Sequence, residues 1–561
     1  MNQPARSTTA ESPNVGLRLS ATAELVPDQL AIAMPTGVES HGALKYESST
    51  FRELDDDSSH IAAALLEMGI PAGSRIVLMV PPSADFFALT FALFKAGMVV
   101  VLIDPGMGRE HLLDCLADVN PDGFIGIGKA MLARWLFRKR FPNSKFHIAV
   151  GRWWLGGMTL TKLRRRQLRQ PFQPPLTKPA DQAAIIFTTG STGPPKGVLY
   201  RHGNFSNQVD QIRERYHIQP GEIDLPGFPL FALFNCAMGV TTIVPRMDPT
   251  RPAHVDPPTI INQIRQWNVT QAFGSPAMWN RVSGYAVEHE ERLPTLRRVL
   301  SAGAPVPIHV LENMLATIAD DGNIFTPYGA TEALPVASTS GRDVLEETAE
   351  LSKQGKGTCV GRRFSGIEWK VIEIDDGPIE SIADANELPL GQIGEIIVRG
   401  PVVTTEYVTR TEANPLHKIR DEDGFWHRMG DVGYLDEQDR FWFCGRKAHR
   451  VITDRGAMFT IPCEAIYCQH ESIYRAALVG AELSEGKITP VLIAEPWPEN
   501  WPAGGEQKKL IDELLELGKS HELTQSIEHV LLHESLPVDI RHNAKIFREK
   551  LKPWAEGVLL R

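Results

Sequence analysis

Ten residues, Thr188 to Gly197 (TTGSTGPPKG), hold three glycines, four hydroxyls and one lysine, directly after the apolar run Ala183-Ala184-Ile185-Ile186-Phe187. A buried strand that runs into a glycine-rich loop brings backbone N–H groups close to an anion with no Cβ in the way. Thr188, Thr189, Ser191 and Thr192 add donors around Gly190 and Gly193, and Lys196 adds a mobile positive charge suited to phosphate. This is the chemistry of a nucleotide-phosphate loop. It is not a Walker A loop, which needs glycine before the lysine and Ser or Thr after it. Pro195 precedes Lys196 and Gly197 follows it. A Gly/Ser/Thr-rich turn standing alone is usually only a surface turn, so the rest of the chain has to decide.

Five further segments follow in order: SAGAP (301–305), YGATE (328–332), GQIGEIIVRGP (391–401), GFWHRMGDVGYLD (424–436) and GRKAHRV (445–451), with LPVDIRHNAKI (536–546) near the end. Together with the glycine loop they resemble the acyl-adenylate-forming superfamily, from about Leu30 onward. The resemblance implies that a carboxylate attacks the α-phosphorus of ATP and pyrophosphate leaves, with ATP and Mg2+ required. It implies that Thr188, Thr189, Gly190, Ser191, Thr192, Gly193 and Lys196 handle the β- and γ-phosphates. Gly303 and Ala304 would line the adenine slot, Tyr328 would stack on the base, Gly329 would belong to the nucleotide-binding set, and Thr331 would meet the α-phosphate. Glu332 would hold magnesium, a hard cation that prefers carboxylate oxygen. Asp431 would accept from both ribose hydroxyls with Arg446 nearby, and Lys545 would be the adenylation lysine. Taken singly, YGATE also reads as an ordinary turn, Asp431 as a helix cap and Lys545 as a surface lysine.

Three places depart from the superfamily's usual pattern. Pro537 lies eight positions before Lys545 rather than six before a glycine-lysine pair, and Ala544 replaces that glycine. Ala448 stands at the hinge position where Asp or Lys is usual, and Ala232 stands in FPLFALF (228–234) where a polar or aromatic gate is usual. The departures touch the second half-reaction and the acyl tunnel and leave the ATP half intact. That pattern resembles the branch of olefin β-lactone synthetases. It implies a long-chain 2-alkyl-3-hydroxy acid as substrate, whose own 3-hydroxyl attacks the adenylate, and other olefin-pathway enzymes as partners. His449, His533 and His542 are candidates by type for taking the hydroxyl proton. The alternatives are a long-chain fatty-acid CoA ligase, an acyl-AMP ligase acting on a carrier thiol, and a non-catalytic acyl-AMP-binding module.

Elements must position these residues. At 561 residues the chain exceeds one usual core, so two or more domains are expected. Helical and strand patterns alternate: Phe51 to Met68 reads as a helix, Arg75 to Val80 as a strand, Ala84 to Lys95 as a helix, and Met98 to Ile103 as a strand. Ile260 to Trp267 reads as another helix and Val299 to Ala302 as a strand. Such alternation predicts an α/β fold of helix-covered, mostly parallel sheets, with ligands outside the carboxyl ends of strands. From Trp369 short strands take over (Trp369 to Ile374, Gly394 to Arg399, Arg440 to Cys444), a β-rich subdomain. The polar first residues read as a disordered tail (1–20), and the resemblance divides the rest into an adenylate-forming domain (21–446) and a small mobile α+β domain (447–561).

A net charge of -10 argues against nucleic acid as a partner. Six cysteines in so long a chain are not a disulfide framework, and a reducing cytoplasm is expected. The first residues have no apolar core and are not a secretory signal, and the stretch from Phe86 to Ile103 is broken by Lys95 and Gly97, so no membrane span is expected. Residues 131–170 are rich in Arg, Lys and Trp. They read as a solvated helix and loop covering the domain, with peripheral contact to an anionic membrane the less favoured alternative.

Overall fold

The computed structural model describes residues 13–38, 44–103, 109–153, 156–188, 194–539 and 545–560. Local signals in the chain set its elements. Thr50 and Glu53 form a reciprocal capping box that starts the helix Phe51–Glu67. The Ser83 hydroxyl accepts from the Phe86 N–H at 3.2 Å to start Ala84–Lys95. That second helix is buried nearly all round, down to Lys95 at its end. The Lys95 ammonium donates to Asp55 Oδ1 at 2.5 Å, to Ser58 Oγ at 2.8 Å and to Ser59 Oγ at 2.9 Å. A buried charge needs such a ring of acceptors.

The alternating pattern builds two sheets. The first is seven-stranded, in the order Met158–Thr159, Phe146–Val150, Gly123–Ile127, Arg75–Met79, Val99–Leu102, Gln182–Phe187, Gly197–Arg201. All its neighbours pair parallel except the last two strands, which form an antiparallel hairpin around the glycine loop. The second sheet has fourteen strands. Its parallel part includes Gln271–Gly274, Arg298–Ser301 and Asn323–Ala330. At Asn323–Ala330 the chain turns back antiparallel into Ala333–Ser340, and the short strands between 358 and 446 continue the same sheet. The β-rich region is thus an extension of a parallel sheet rather than a separate one. The fold class expected from the sequence holds, and the predicted elements recur with ends shifted by up to about three residues.

After Arg446 comes a 3₁₀ turn, Lys447–His449, then the two-stranded Val451–Thr453/Gly456–Met458 ribbon. A three-stranded sheet follows (Ile473–Ser484, Lys487–Pro496, His529–Leu532), packed against the helix Arg548–Leu559. Its core is its own, around Tyr467, Leu478, Leu492 and Leu514.

One expectation is corrected at the other end. The tail expected through residue 20 gives way earlier to a helix, Leu17–Leu25, whose Leu19 is fully buried. Asn14 Nδ2 donates to the Phe94 carbonyl at 2.8 Å, and the Gly16 N–H donates back to Asn14 Oδ1 at 2.9 Å. A Cβ on Gly16 would lie 2.8 Å from the Lys95 backbone nitrogen. The contacts of Asn14 with Phe94 and of Gly16 with Lys95 are long-range, and no local pattern announces them. All six cysteines are free thiols, as expected. Among the described residues no helix is long and apolar enough to cross a membrane.

Candidate active site

The strand Gln182–Phe187 ends at Thr188, and the loop closes on itself there. The Thr188 N–H donates to the Lys196 carbonyl at 3.0 Å, and the Lys196 N–H donates to Thr188 Oγ1 at 3.1 Å. Thr189, Gly190, Ser191, Thr192 and Gly193 lie outside the described residues. Gly197 follows because the return strand is pressed against the segment 404–409. Its N–H donates to Thr409 Oγ1 at 2.8 Å, and a Cβ there would lie 3.1 Å from both Ile185 and Thr409.

Lys196 points away from its own hairpin. Its Nζ lies 3.1 Å from His417 Nε2 and 5.0 Å from the centre of the Tyr407 ring. Burial lowers the lysine's pKa, Glu332 opposes that shift and Arg446 adds to it. His417 is pushed down to about 3, first by burial and then by Lys196 and Lys418. A neutral imidazole accepts the ammonium's hydrogen bond without competing for its charge.

Glu332 faces the same space. The turn between strands Asn323–Ala330 and Ala333–Ser340 presents it, and Gly329 permits that turn: a Cβ there would lie 2.6 Å from the Ala333 carbonyl oxygen. The Glu332 carbonyl accepts from the Thr404 N–H at 2.8 Å and its hydroxyl at 2.9 Å, while Tyr200 OH donates to the Thr331 carbonyl at 2.5 Å. The side chain's Oε1 accepts from Tyr407 OH at 2.7 Å. Burial and the Glu332 charge raise the Tyr407 pKa, so the phenol keeps its proton and remains a donor. Beneath it Lys418, fully buried, is pushed down to about 7 by desolvation.

The third group sits where two strands pair. Asp431 and Arg446 are register partners on Gly424–Leu435 and Arg440–Arg446. Arg446 Nη1 donates to Asp431 Oδ1 at 2.6 Å, and Tyr328 OH donates to Asp431 Oδ2 at 2.5 Å. Burial and the Asp431 charge hold the Tyr328 pKa well above that of a free phenol. Asp431 therefore sits within a strand rather than at a helix cap, and Glu332, Asp431 and Arg446 act electrostatically on one another's neighbours. Gly303 takes φ +100° just beyond the strand Arg298–Ser301, a left-handed backbone that favours glycine, with Ala304 after it. The parallel strands' carboxyl ends thus carry the hairpin, SAGAP and YGATE, as the topology requires.

Lys545 belongs to the C-terminal unit. Its N–H donates to Asp539 Oδ1 at 3.1 Å and its carbonyl accepts from the Asp539 N–H at 3.0 Å, with Val538 bridged to Ile546. The lysine thus stands at the base of a pinched loop, its side chain exposed, and Ala544 and the rest of the insertion (540–544) lie outside the described residues. Arg548, three residues on, grips Glu464 with Nη2 at 2.6 and 2.8 Å. His449, at the junction, is pushed down to about 4 by burial, Arg548 and Arg446, and so is neutral at pH 7. His533 packs on Trp554, ring centres 4.8 Å apart, inside the C-terminal unit; His542 lies outside the described residues. In the 3₁₀ turn Lys447–His449, Lys447, beside Ala448, donates to Glu395 Oε2 at 3.0 Å, and Glu395 is itself buried against Arg428 at 2.5 Å. In FPLFALF, Phe231 stacks on Phe273 at 3.8 Å while Ala232 is fully buried.

Sequence reasoning missed Tyr407, His417 and Lys418. Their local strings, TTEYVTR and NPLHKIR, carry no motif. Only the fold lays segment 404–418 between Glu332 and the hairpin that carries Lys196.

A family model described as AMP-binding enzyme matches residues 20–408. An olefin beta-lactone synthetase of Xanthomonas campestris pv. campestris is 44% identical over 548 residues, covering 97% of both chains. Another of that name, from Stenotrophomonas maltophilia, is 42% identical, covering 97% of this chain and 98% of its own. Among solved structures, the O-succinylbenzoate coenzyme A synthetase of Bacillus subtilis, in complex with ATP and magnesium ion, superposes with a TM-score of 0.72. It is 20% identical and covers 95% of this chain and 99% of its own.

Proposed function

Given that this chain belongs to the AMP-binding enzyme family and matches olefin beta-lactone synthetases almost end to end, we propose that it adenylates a long-chain 2-alkyl-3-hydroxy acid and closes the product to a β-lactone. The observation that carries the adenylation half is the convergence of Lys196, Glu332, Asp431, Arg446 and Tyr328 around one space. The full-length relatives carry the lactone half.

In this reading a substrate carboxylate oxygen attacks the α-phosphorus of ATP, and pyrophosphate leaves with its bonding pair. Charge builds on the phosphoryl oxygens, so catalysis is mostly positioning and charge neutralisation. Lys196, Thr188 and the glycine loop neutralise the β- and γ-phosphates. Tyr328 takes the base, Thr331 meets the α-phosphate, Asp431 takes the ribose hydroxyls, and Gly303 and Ala304 leave room for adenine. Lys545 would approach the bridging oxygen from the C-terminal unit, residues 447–561, which would move as a body about the Lys447–His449 turn.

The residues present suit magnesium. Glu332 offers a hard carboxylate held by Tyr407, and among the described residues no three-ligand His/Cys/Asp/Glu cluster occurs. Magnesium bound by one carboxylate plus nucleotide phosphates needs no such cage. Bound there, it would neutralise phosphate charge.

The substrate's 3-hydroxyl oxygen then attacks the acyl carbonyl, loses its proton, and AMP leaves, closing the four-membered ring. Nucleophile and electrophile share one molecule, so the second step has a high effective concentration, reduced by ring strain. No external thiol is required. The test is product mass spectrometry with ATP, magnesium and a 2-alkyl-3-hydroxy acid, with and without CoA. The expected product is the acid less one water, at the same rate in both, with AMP and pyrophosphate released. Rapid thioester formation from a plain fatty acid would overturn this in favour of a CoA ligase; release of ADP and phosphate would overturn adenylation itself.

A further inference from the structure

The Arg- and Trp-rich stretch between 131 and 170 is not one surface. In its second half, Arg164 and Arg166 are neutralised internally. Arg164 Nη2 pairs with Asp57 at 2.7 Å and its Nη1 with Asp85 at 2.6 Å, and Arg166 approaches Glu67 at 3.7 Å. Those arginines fasten a covering segment onto two core helices.

The first half is different. The helix Gly128–Leu136 and the 3₁₀ turn Arg138–Arg140 bury only Met131. Leu132, Trp135, Leu136 and Phe137 are 41%, 49%, 60% and 43% exposed, an unusual density of large apolar side chains in solvent. Interleaved with them are Lys129, Arg134, Arg138, Lys139 and Arg140, with no acidic residue between 128 and 141, on a chain of net charge -10. Arg140 pairs with Asp114. Arg138 lies over the Trp135 ring at 5.4 Å, and the charge acting on Arg134 is Arg138, another cation.

We propose that this face, Leu132 to Arg140, docks on an anionic lipid bilayer. Exposed Trp, Phe and Leu among arginines and lysines is the composition that settles at the boundary of headgroups and acyl chains. A second copy of the chain is a poorer occupant, because a two-fold contact through this face would set its cations against themselves. Nucleic acid would use the cations and leave the apolar side chains in water.

The test is flotation of the full chain with phosphatidylcholine vesicles and with vesicles also containing phosphatidylglycerol. Binding is expected to the phosphatidylglycerol vesicles at low salt and to weaken as salt shortens the screening length from about 10 Å at 0.1 M to about 3 Å at 1 M. Arg138→Gln/Lys139→Gln should lower the partition coefficient about 25-fold, at about fivefold per cation. Trp135→Ser/Leu136→Ser should also release the protein from the vesicles. ATP affinity should be unchanged in both variants, which certifies their folding, since neither touches the nucleotide residues. Equal binding to both vesicle types, or wild-type binding by both variants, overturns the proposal. So does a change in oligomer size, measured by light scattering, with vesicle binding intact, which would assign the face to contact between copies.

Discussion

Replacing Asp431 with Asn tests the nucleotide site where its geometry is tightest. Both carboxylate oxygens are occupied, Oδ2 by Tyr328 OH at 2.5 Å and Oδ1 by Arg446 at 2.6 Å. The side chain is nearly inaccessible at 6% exposure, so water cannot replace what is lost. An amide has one acceptor oxygen. With it turned to Arg446, its NH2 meets the phenol, which can rotate and accept; both contacts survive but neither retains the carboxylate charge. Charge-assisted bonds contribute about 1.5–3 kcal/mol and neutral ones about 1 kcal/mol. Arg446 is about a third exposed, so its share belongs at the low end. For a ribose held by the same carboxylate the loss is about 0.5–2 kcal/mol, or about 2- to 30-fold in ATP affinity. Tyr328→Phe keeps the ring for the base and removes only the hydroxyl. The double-mutant cycle between the two sites should show a coupling of about 1–2 kcal/mol. Titration calorimetry with ATP reads both. Affinity within twofold of wild type for Asp431→Asn, or a coupling near zero, would refute the placement of the ribose at Asp431.

Lys545→Ala should cut adenylation on the order of 10²–10³-fold while changing ATP affinity much less, because a positive charge is lost mainly at the transition state; a near wild-type rate in pyrophosphate exchange would make Lys545 a surface residue. Glu332→Gln should raise the magnesium concentration for half-maximal activity, since one carboxylate charge on a hard cation is gone, and an unchanged magnesium titration would remove Glu332 from that role. Lys418 supplies a pH test. Its folded pKa of about 7 lies below its unfolded value near 10.4, so between these the unfolded chain binds the extra proton and stability rises with pH. The burial penalty is full below about pH 7 and fades toward about pH 10. Wild type should therefore gain about 2 kcal/mol on Lys418→Met between pH 7 and pH 9, read from urea unfolding of the two proteins; a pH-independent difference would show that Lys418 is charged at both.

The segments that carry the candidate site were legible because adenylate chemistry is written in contiguous strings. The glycine loop needs residues without side chains next to hydroxyls and a lysine, and such a loop has to follow a buried strand. Thr50, Glu53 and Ser83 capped their helices as short-range hydrogen bonding dictates. Gly394–Arg399 read as a strand because it carries a short β-branched apolar run, Ile396-Ile397-Val398, which the sheet buries on both faces. These are effects of near neighbours, and near neighbours are adjacent in the sequence. What only the tertiary structure decided were contacts between distant segments. His417 lies 221 residues from the lysine it holds, and Tyr407 lies 75 from the glutamate it braces. Leu19 is fully buried, and nearby Asn14 reaches a helix end 80 residues on. The basic stretch looked uniform because composition does not say which arginines meet a carboxylate. Folding brought Asp57, Asp85 and Glu67 to one half and left the other half, with Trp135 and Leu136, facing outward.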